Sequence, residues 1–378
     1  MAFAQGSRSS LSFITEVTFG TTPVSGNFTN LPFSTHSLNL TKDRVAGNDI
    51  QADRMPRVDR HGNRQTSGDI VVDLRNADYD AFLESAMLNT WTESTAITTT
   101  AATASAGTAT LTFTSQATAP FVVGTLITVT NLVPAGYNGT FVVTACTTTS
   151  VSYLSTATGT QTTAGSIKSD SLKVGVTPKF FSIEDLASDI TQARLFTGMT
   201  VSTMGVSLAP NQMVTATFGM VGKDMTINTS PKTQTAASGA APFDAYSGDM
   251  RIGNVGSSSV AAIVTGLDFT VNNSFAPTFV IGDDSTPQLE YGRAEIEGTF
   301  TAYFEDATLV NRFLNETETN LIVSVNDPTG ANPYVFHFPR IKINSADVGV
   351  DGPTSRMISL SFVALYDSAQ TTNLRIYR

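Results

Sequence analysis

The chain states one order of features twice, and that order limits the folds open to it. In the first half a short strand pattern, HSLNL (residues 36–40), leads into a charged loop. A second strand pattern, GDIVVDL (68–74), then a helix pattern and further strands follow. From Ala261 the same grammar returns. GLDFTV (266–271) stands where HSLNL stood, and a polar loop with Gly282, Asp283, Asp284 and Pro287 replaces the charged one. GTFTAYF (298–304) replaces GDIVVDL, with Gly298 on Gly68, and Phe313 and Leu314 match Phe82 and Leu83 after one gap. Phe338, Ile341 and Ile343 repeat the spacing of Phe196, Met199 and Val201, and MISLSF (357–362) repeats MVTATF (213–218). The order reads as a duplicated unit of strand, loop, strand, helix and strands.

The two copies differ in length for a visible reason. Gly68 to Phe218 is 150 residues and Gly298 to Phe362 is 64; most of the 86-residue excess is the 74-residue stretch 94–167. That stretch contains no Asp, Glu, Lys, Arg or His, and 23 of its residues are Thr. Strand-like runs separated by Pro120, Gly124, Pro134 and the pair Asn138-Gly139 make it a small all-β module. A disordered Thr-rich stalk is the other reading of such a composition. The expected organisation is a first unit over 1–93 and 168–240, the module over 94–167, and a second unit over 241–378. Within the first unit Ile70, Val72 and Leu74 form the inward set of a strand. Tyr79, Phe82, Leu83, Ala86 and Met87 form one face of a helix that Asn76 or Asp78 can cap. Leu186 and Ile190 fit one helical turn, residues 229–249 read as a linker, and Trp91 falls at the module hinge.

Charge is concentrated in one place. Residues 42–66 carry six of the 22 Lys/Arg together with four Asp, and Gly47, Pro56 and Gly62 interrupt any regular element there. Lys42, Arg44, Asp49, Asp53, Arg54, Arg57, Asp59, Arg60, His61 and Arg64 therefore form a candidate contact loop. The net charge is −10, and without the loop the body holds 16 basic and 28 acidic residues, or −12. A surface of that sign repels phosphates instead of gripping them.

Chemistry-bearing patterns are missing. His36, His61 and His337 have no metal-ligand spacing, and a single cysteine, Cys146, excludes an intramolecular disulfide. No nucleotide-binding or nucleophile motif occurs, so neither an enzyme nor a cofactor is expected. The sequence shows no signal pattern and no apolar run of membrane-spanning length; a soluble protein made in a cytoplasm is expected, with no membrane partner.

Three segments resemble the tail tube (major tail) proteins of long-tailed bacteriophages. They are residues 33–87 (FSTHSLNLTKDRVAGNDIQADRMPRVDRHGNRQTSGDIVVDLRNADYDAFLESAM), 196–225 and 275–315. The resemblance implies a mainly β chain, with two tandem β-sandwich or partial-barrel units, each with a flanking helix. It implies rings whose inner wall is a continuous barrel, stacked into a hollow virion tail tube that conducts the genome and is assembled in the host cytoplasm. The charged loop would reach the adjacent ring, with Asp283, Asp284, Glu290, Glu295 and Glu297 as its acidic partners or as lumen residues. Two units per chain imply a trimer with pseudo-sixfold symmetry. The partners implied are the protein itself, other tail proteins at the tube ends, and DNA in transient passage. The module resembles the immunoglobulin-like or related β domains on the outer surface of tail proteins. A β-rich surface or adhesin-type protein, with the Thr-rich module on a glycan, is the competing reading.

Overall fold

The computed structural model describes residues 3–55, 58–255, 260–261, 264–327, 333–350, 352 and 355–378. Period-two alternation drives most of its regular structure into antiparallel strands. The first series comprises β1 (Ser9–Thr15), β2 (Asn39–Ala46), β3 (Asp59–Asp73), helix α1 (Asp80–Ala86), β4 (Phe181–Ala187), β5 (Gln192–Leu208) and β6 (Thr215–Gly222). The second comprises β7 (Asp244–Asn254), β8 (Val264–Asn272), β9 (Glu295–Tyr303), helix α2 (Thr308–Leu314), β10 (Thr319–Asn326), β11 (Tyr334–Asp347) and β12 (Met357–Ala364). A short strand, β13 (Arg375–Tyr377), ends the chain.

Side by side, the first series runs β2-β3-β6-β5-β4-β1. The second runs β8-β9-β12-β11-β10-β7, the same order for the corresponding strands. Irregularities coincide as well. The β5–β6 ladder shifts register between Val201 and Thr203, and the β11–β12 ladder between Ile343 and Ser345. The β4–β5 ladder shifts at Phe181/Ile183 and the β10–β11 ladder at Thr319/Leu321. A Cβ on Gly68 would lie 2.5 Å from the Ser37 carbonyl oxygen, and one on Gly298 would lie 2.7 Å from that of Asp268. Both glycines are there because a neighbouring backbone comes too close for a side chain.

Several expectations need adjusting. Gly68 lies opposite Met220 and Gly298 opposite Phe362, so with the glycines matched, residues 357–362 correspond to 215–220, two places on from MVTATF. Phe82 and Leu83 are the third and fourth residues of α1, whereas Phe313 and Leu314 are the last two of α2, so that pair does not coincide either. Leu186 lies in β4, because the strand continues through it, and Ile190 lies in the turn beyond. The linker is shorter than 229–249, since β7 begins at Asp244. The α1 face is buried as expected, at Tyr79, Phe82, Leu83, Ala86 and Met87. Neither Asn76 nor Asp78 caps the helix; the N-cap position is Tyr79, which makes no capping bond, and Asp78 accepts the Ser238 amide instead.

The two series share one core. Phe82 stacks on Phe181 with centroids 4.9 Å apart and meets Phe13 edge-on, while Phe269 meets Phe336 and Phe338 edge-on. Residues 203–208 of β5 also pair with 267–272 of β8, joining both series into one sheet.

Strands drawn from residues 97–168 close on themselves as a six-stranded barrel around Leu111, Ile127, Val143, Val151 and Tyr153. Leu126 and Val142 of the barrel pack on Ile322, Val335 and Tyr377, seating it against the outer side of the second series. Trp91, at the entry to the barrel, is half-buried between Tyr334 and the Arg378 guanidinium, 4.4 Å above its ring.

Candidate assembly surfaces

An antiparallel sheet buries one face and can leave the other to solvent. In the joined sheet β2-β3-β6-β5-β8-β9-β12-β11 the buried face holds Ile70, Ala216, Phe218, Met204, Val206, Phe269, Phe300 and Leu360. The opposite face is uncovered over much of its extent. Directly opposed residues form a row across it: Asp73, Thr215, Ser207, Asp268, Thr299, Ser361, Ser345. The next row is Val71, Thr217, Gly205, Thr270, Glu297, Val363. A third is Asp69, Gly219, Thr203, Asn272, Glu295. Asp347 lies opposite Ser359 on the same side. Small hydroxyl residues and carboxylates therefore pave a continuous surface. Lys342, opposite Val363 on this face, is ion-paired with Glu316 at 2.6 Å beside α2, and Arg340, two residues earlier on the same strand, is ion-paired with Glu318.

The charged segment is less a loop than an arm. Lys42 and Arg44 lie on β2, and Asp59, Arg60, His61 and Arg64 lie on β3; the two strands pair out to Ala46 and Asp59. The ladder shifts register between Lys42 and Arg44, where β3 carries one extra residue, and a Cβ on Gly62 at this irregularity would lie 2.9 Å from Val45 Cγ2. Asp49, Asp53 and Arg54 form the tip, while Arg57 and Pro56 lie outside the described residues. Arg44 holds Asp59 at 2.7 Å. Both faces of the ribbon are exposed towards the tip, including Val45, Met55, Val58 and Ile50, the last at 99%. A two-stranded ribbon with no covering layer is marginal on its own.

The expected acidic partners are scattered. Asp284 does meet an arm residue, but inside the same chain: Arg64 lies 3.3 Å from Asp284 and 3.4 Å from Asp224, and its amide donates to the Asp284 carbonyl. Arg64 thus anchors the base of the arm. Asp283 accepts the Ser285 amide and hydroxyl, which hold its carboxyl below the usual carboxylate range. Glu290 lies on a two-residue strand that pairs with Ala276–Pro277. Glu295, ion-paired with Arg293 at 2.9 Å, and Glu297 belong to the open face.

Two strand edges complete the set. Among the described residues β2 pairs only with β3, and residues 345–347 of β11 have β12 on one side and no strand on the other. Sequence patterning gives no sign of either edge, because alternation specifies faces and not lateral neighbours. Among the described residues there is no His/Cys/Asp/Glu group able to hold a metal ion.

The chain matches the family model described as phage tail tube protein over residues 6–364. No curated protein matches it.

Proposed function

This chain belongs to the phage tail tube protein family, and on that premise we propose that it builds stacked rings whose open sheet faces line the channel crossed by the genome. Family membership makes it a structural component of the virion tail and not an enzyme. The finer reading is a ring of three chains in which six strand series, two per chain, follow one another with pseudo-sixfold symmetry. The single observation that carries it is the open face: it continues without a break from one series to the next through the β5–β8 joint. A wall of Ser, Thr, Asp69, Asp73, Asp268, Glu295, Glu297 and Asp347, whose Lys342 is already held by Glu316, repels phosphates on balance, so DNA slides along it. The arm, which exposes Val45, Ile50, Met55 and Val58 among its charged residues, serves as the contact with other copies of the chain, its exposed apolar residues becoming covered on stacking. The barrel, seated on the second series through Ile322, Val335 and Tyr377, decorates the outside.

Negative-stain images of the purified protein, with native mass measurement of any rings, test this reading. Hollow rings or tubes with three chains per ring are expected. Monomeric particles without a channel at all concentrations overturn it, and six chains per ring overturn the pseudo-sixfold arrangement.

A further inference from the structure

Resting on the tube reading, we propose that residues 345–350 of one chain pair antiparallel with residues 36–41 of the next, in the register by which β5 and β8 pair inside the chain. The joint between the series serves as the template. Matched register shifts place Ile343 on Val201 and Ser345 on Thr203, so residues 345–350 correspond to 203–208. Matched glycines place the partner strand: Phe269 lies opposite Gly298, and Leu38 comes against Gly68, where its Cα would sit 2.7 Å from an added Cβ. Residues 36–41 therefore correspond to 267–272. In the template Thr203 pairs with Asn272 and Leu208 with Leu267. Copying it sets Ser345 opposite Thr41, Asp347 opposite Asn39, Val348 opposite Leu38 and Val350 opposite His36.

Three features of the free edges favour that register. First, the faces agree. In the template Met204, Val206 and Leu208 oppose Val271, Phe269 and Leu267 on the core side, while Thr203, Gly205 and Ser207 oppose polar residues on the open side. In the copy Ala346, Val348 and Val350 oppose Leu40, Leu38 and His36 on the core side, and only polar residues and Gly349 meet on the open side. A slip of one residue would turn each apolar residue to the wrong face. Second, no like charges are opposed, since Asp347 faces Asn39. Third, β11 ends at Asp347 while β5 runs on to Leu208, three residues further by the same correspondence. The extra residues of β5 are among those held by β8, and their counterparts 348–350 lack such a neighbour. The Leu38 carbonyl accepts Arg194 Nη1 at 3.3 Å, which leaves its second lone pair for a strand amide. The occupant is a second copy because the donor edge and the acceptor edge lie at opposite ends of one chain's sheet. Such a head-to-tail contact repeats and can close a ring.

Engineered cysteines test the register. In a Cys146→Ser background, Asp347→Cys is combined with Asn39→Cys, its proposed opposite, or with Leu40→Cys, which points to the other face. After oxidation with glutathione disulfide, the first pair should give a covalent oligomer on non-reducing gels that dithiothreitol returns to monomer. The second should stay monomeric. If the first pair disturbs assembly, Ser345→Cys with Thr41→Cys carries the same test one row away. Rings or tubes that form in the images without cross-linking of either expected pair overturn the register while leaving the tube reading intact. The absence of rings and tubes from the unaltered protein overturns both.

Discussion

Acidification should loosen the second series through one buried side chain. His337 lies on β11 opposite Ile322 and Arg375, on the face that the barrel covers, and it is 1% exposed. Neither ring nitrogen has a hydrogen-bond partner. Burial, with a smaller contribution from the Arg375 charge, lowers its pKa from 6.5 to about 3. The folded protein therefore resists protonation while the unfolded chain accepts it near pH 6.5. Stability is full above that pH, falls as pH drops towards about 3, and stops falling through this residue below it. Between pH 7.5 and pH 5 the difference amounts to about 2 kcal/mol. Urea unfolding of the unassembled subunit at these two pH values measures it. His337→Gln and His337→Phe remove the titration, whatever they do to stability at neutral pH. Each should lose about 2 kcal/mol less than the unaltered protein over the interval. Equal losses in all three would show that His337 accepts a proton in the folded state, and the reasoning from its burial would be refuted.

Gly68 and Gly205 give a paired test of why glycine occurs in these strands. Gly68→Ala forces a Cβ against the Ser37 carbonyl at a φ of +143°, and it should cost about 1–3 kcal/mol in urea unfolding. Gly205→Ala meets nothing nearer than Thr270 Oγ1 at 3.9 Å and should stay within about 0.5 kcal/mol of the unaltered protein; equal effects would count against the close-approach explanation. At the arm, Ile50→Ser with Met55→Ser should leave the unfolding midpoint of the body unchanged and shorten the tubes seen by negative stain. Tubes of normal length would remove the tip from the stacking contact.

Much of the fold was legible because alternation and helical spacing report burial directly. Ile70, Val72, Leu74 and the α1 face are buried as their periodicity implies. The charged arm was located but its form was missed: glycine, proline and dense charge predict a break, yet cross-strand pairing carries β2 and β3 through Lys42, Arg44 and Arg64. Motif matching slipped by two residues at Met357 because a two-residue slip keeps every strand residue on its proper face, leaving the alternation unchanged. Arg64 and Asp284 were both singled out, but sequence could not tell an ion pair within one chain from a contact between chains. The open face was illegible as a unit, since its rows are drawn from strands as far apart in sequence as Asp73 and Ser361.

The β5–β8 joint also has a kinetic consequence. Its strands belong to one polypeptide, so they meet at an effective concentration of millimolar order however dilute the protein is. Half of the seams in a circle of six such series would then be stitched during folding, before any collision between molecules. Fewer independent encounters remain, and completion depends on a lower power of subunit concentration than it would for chains carrying one series each.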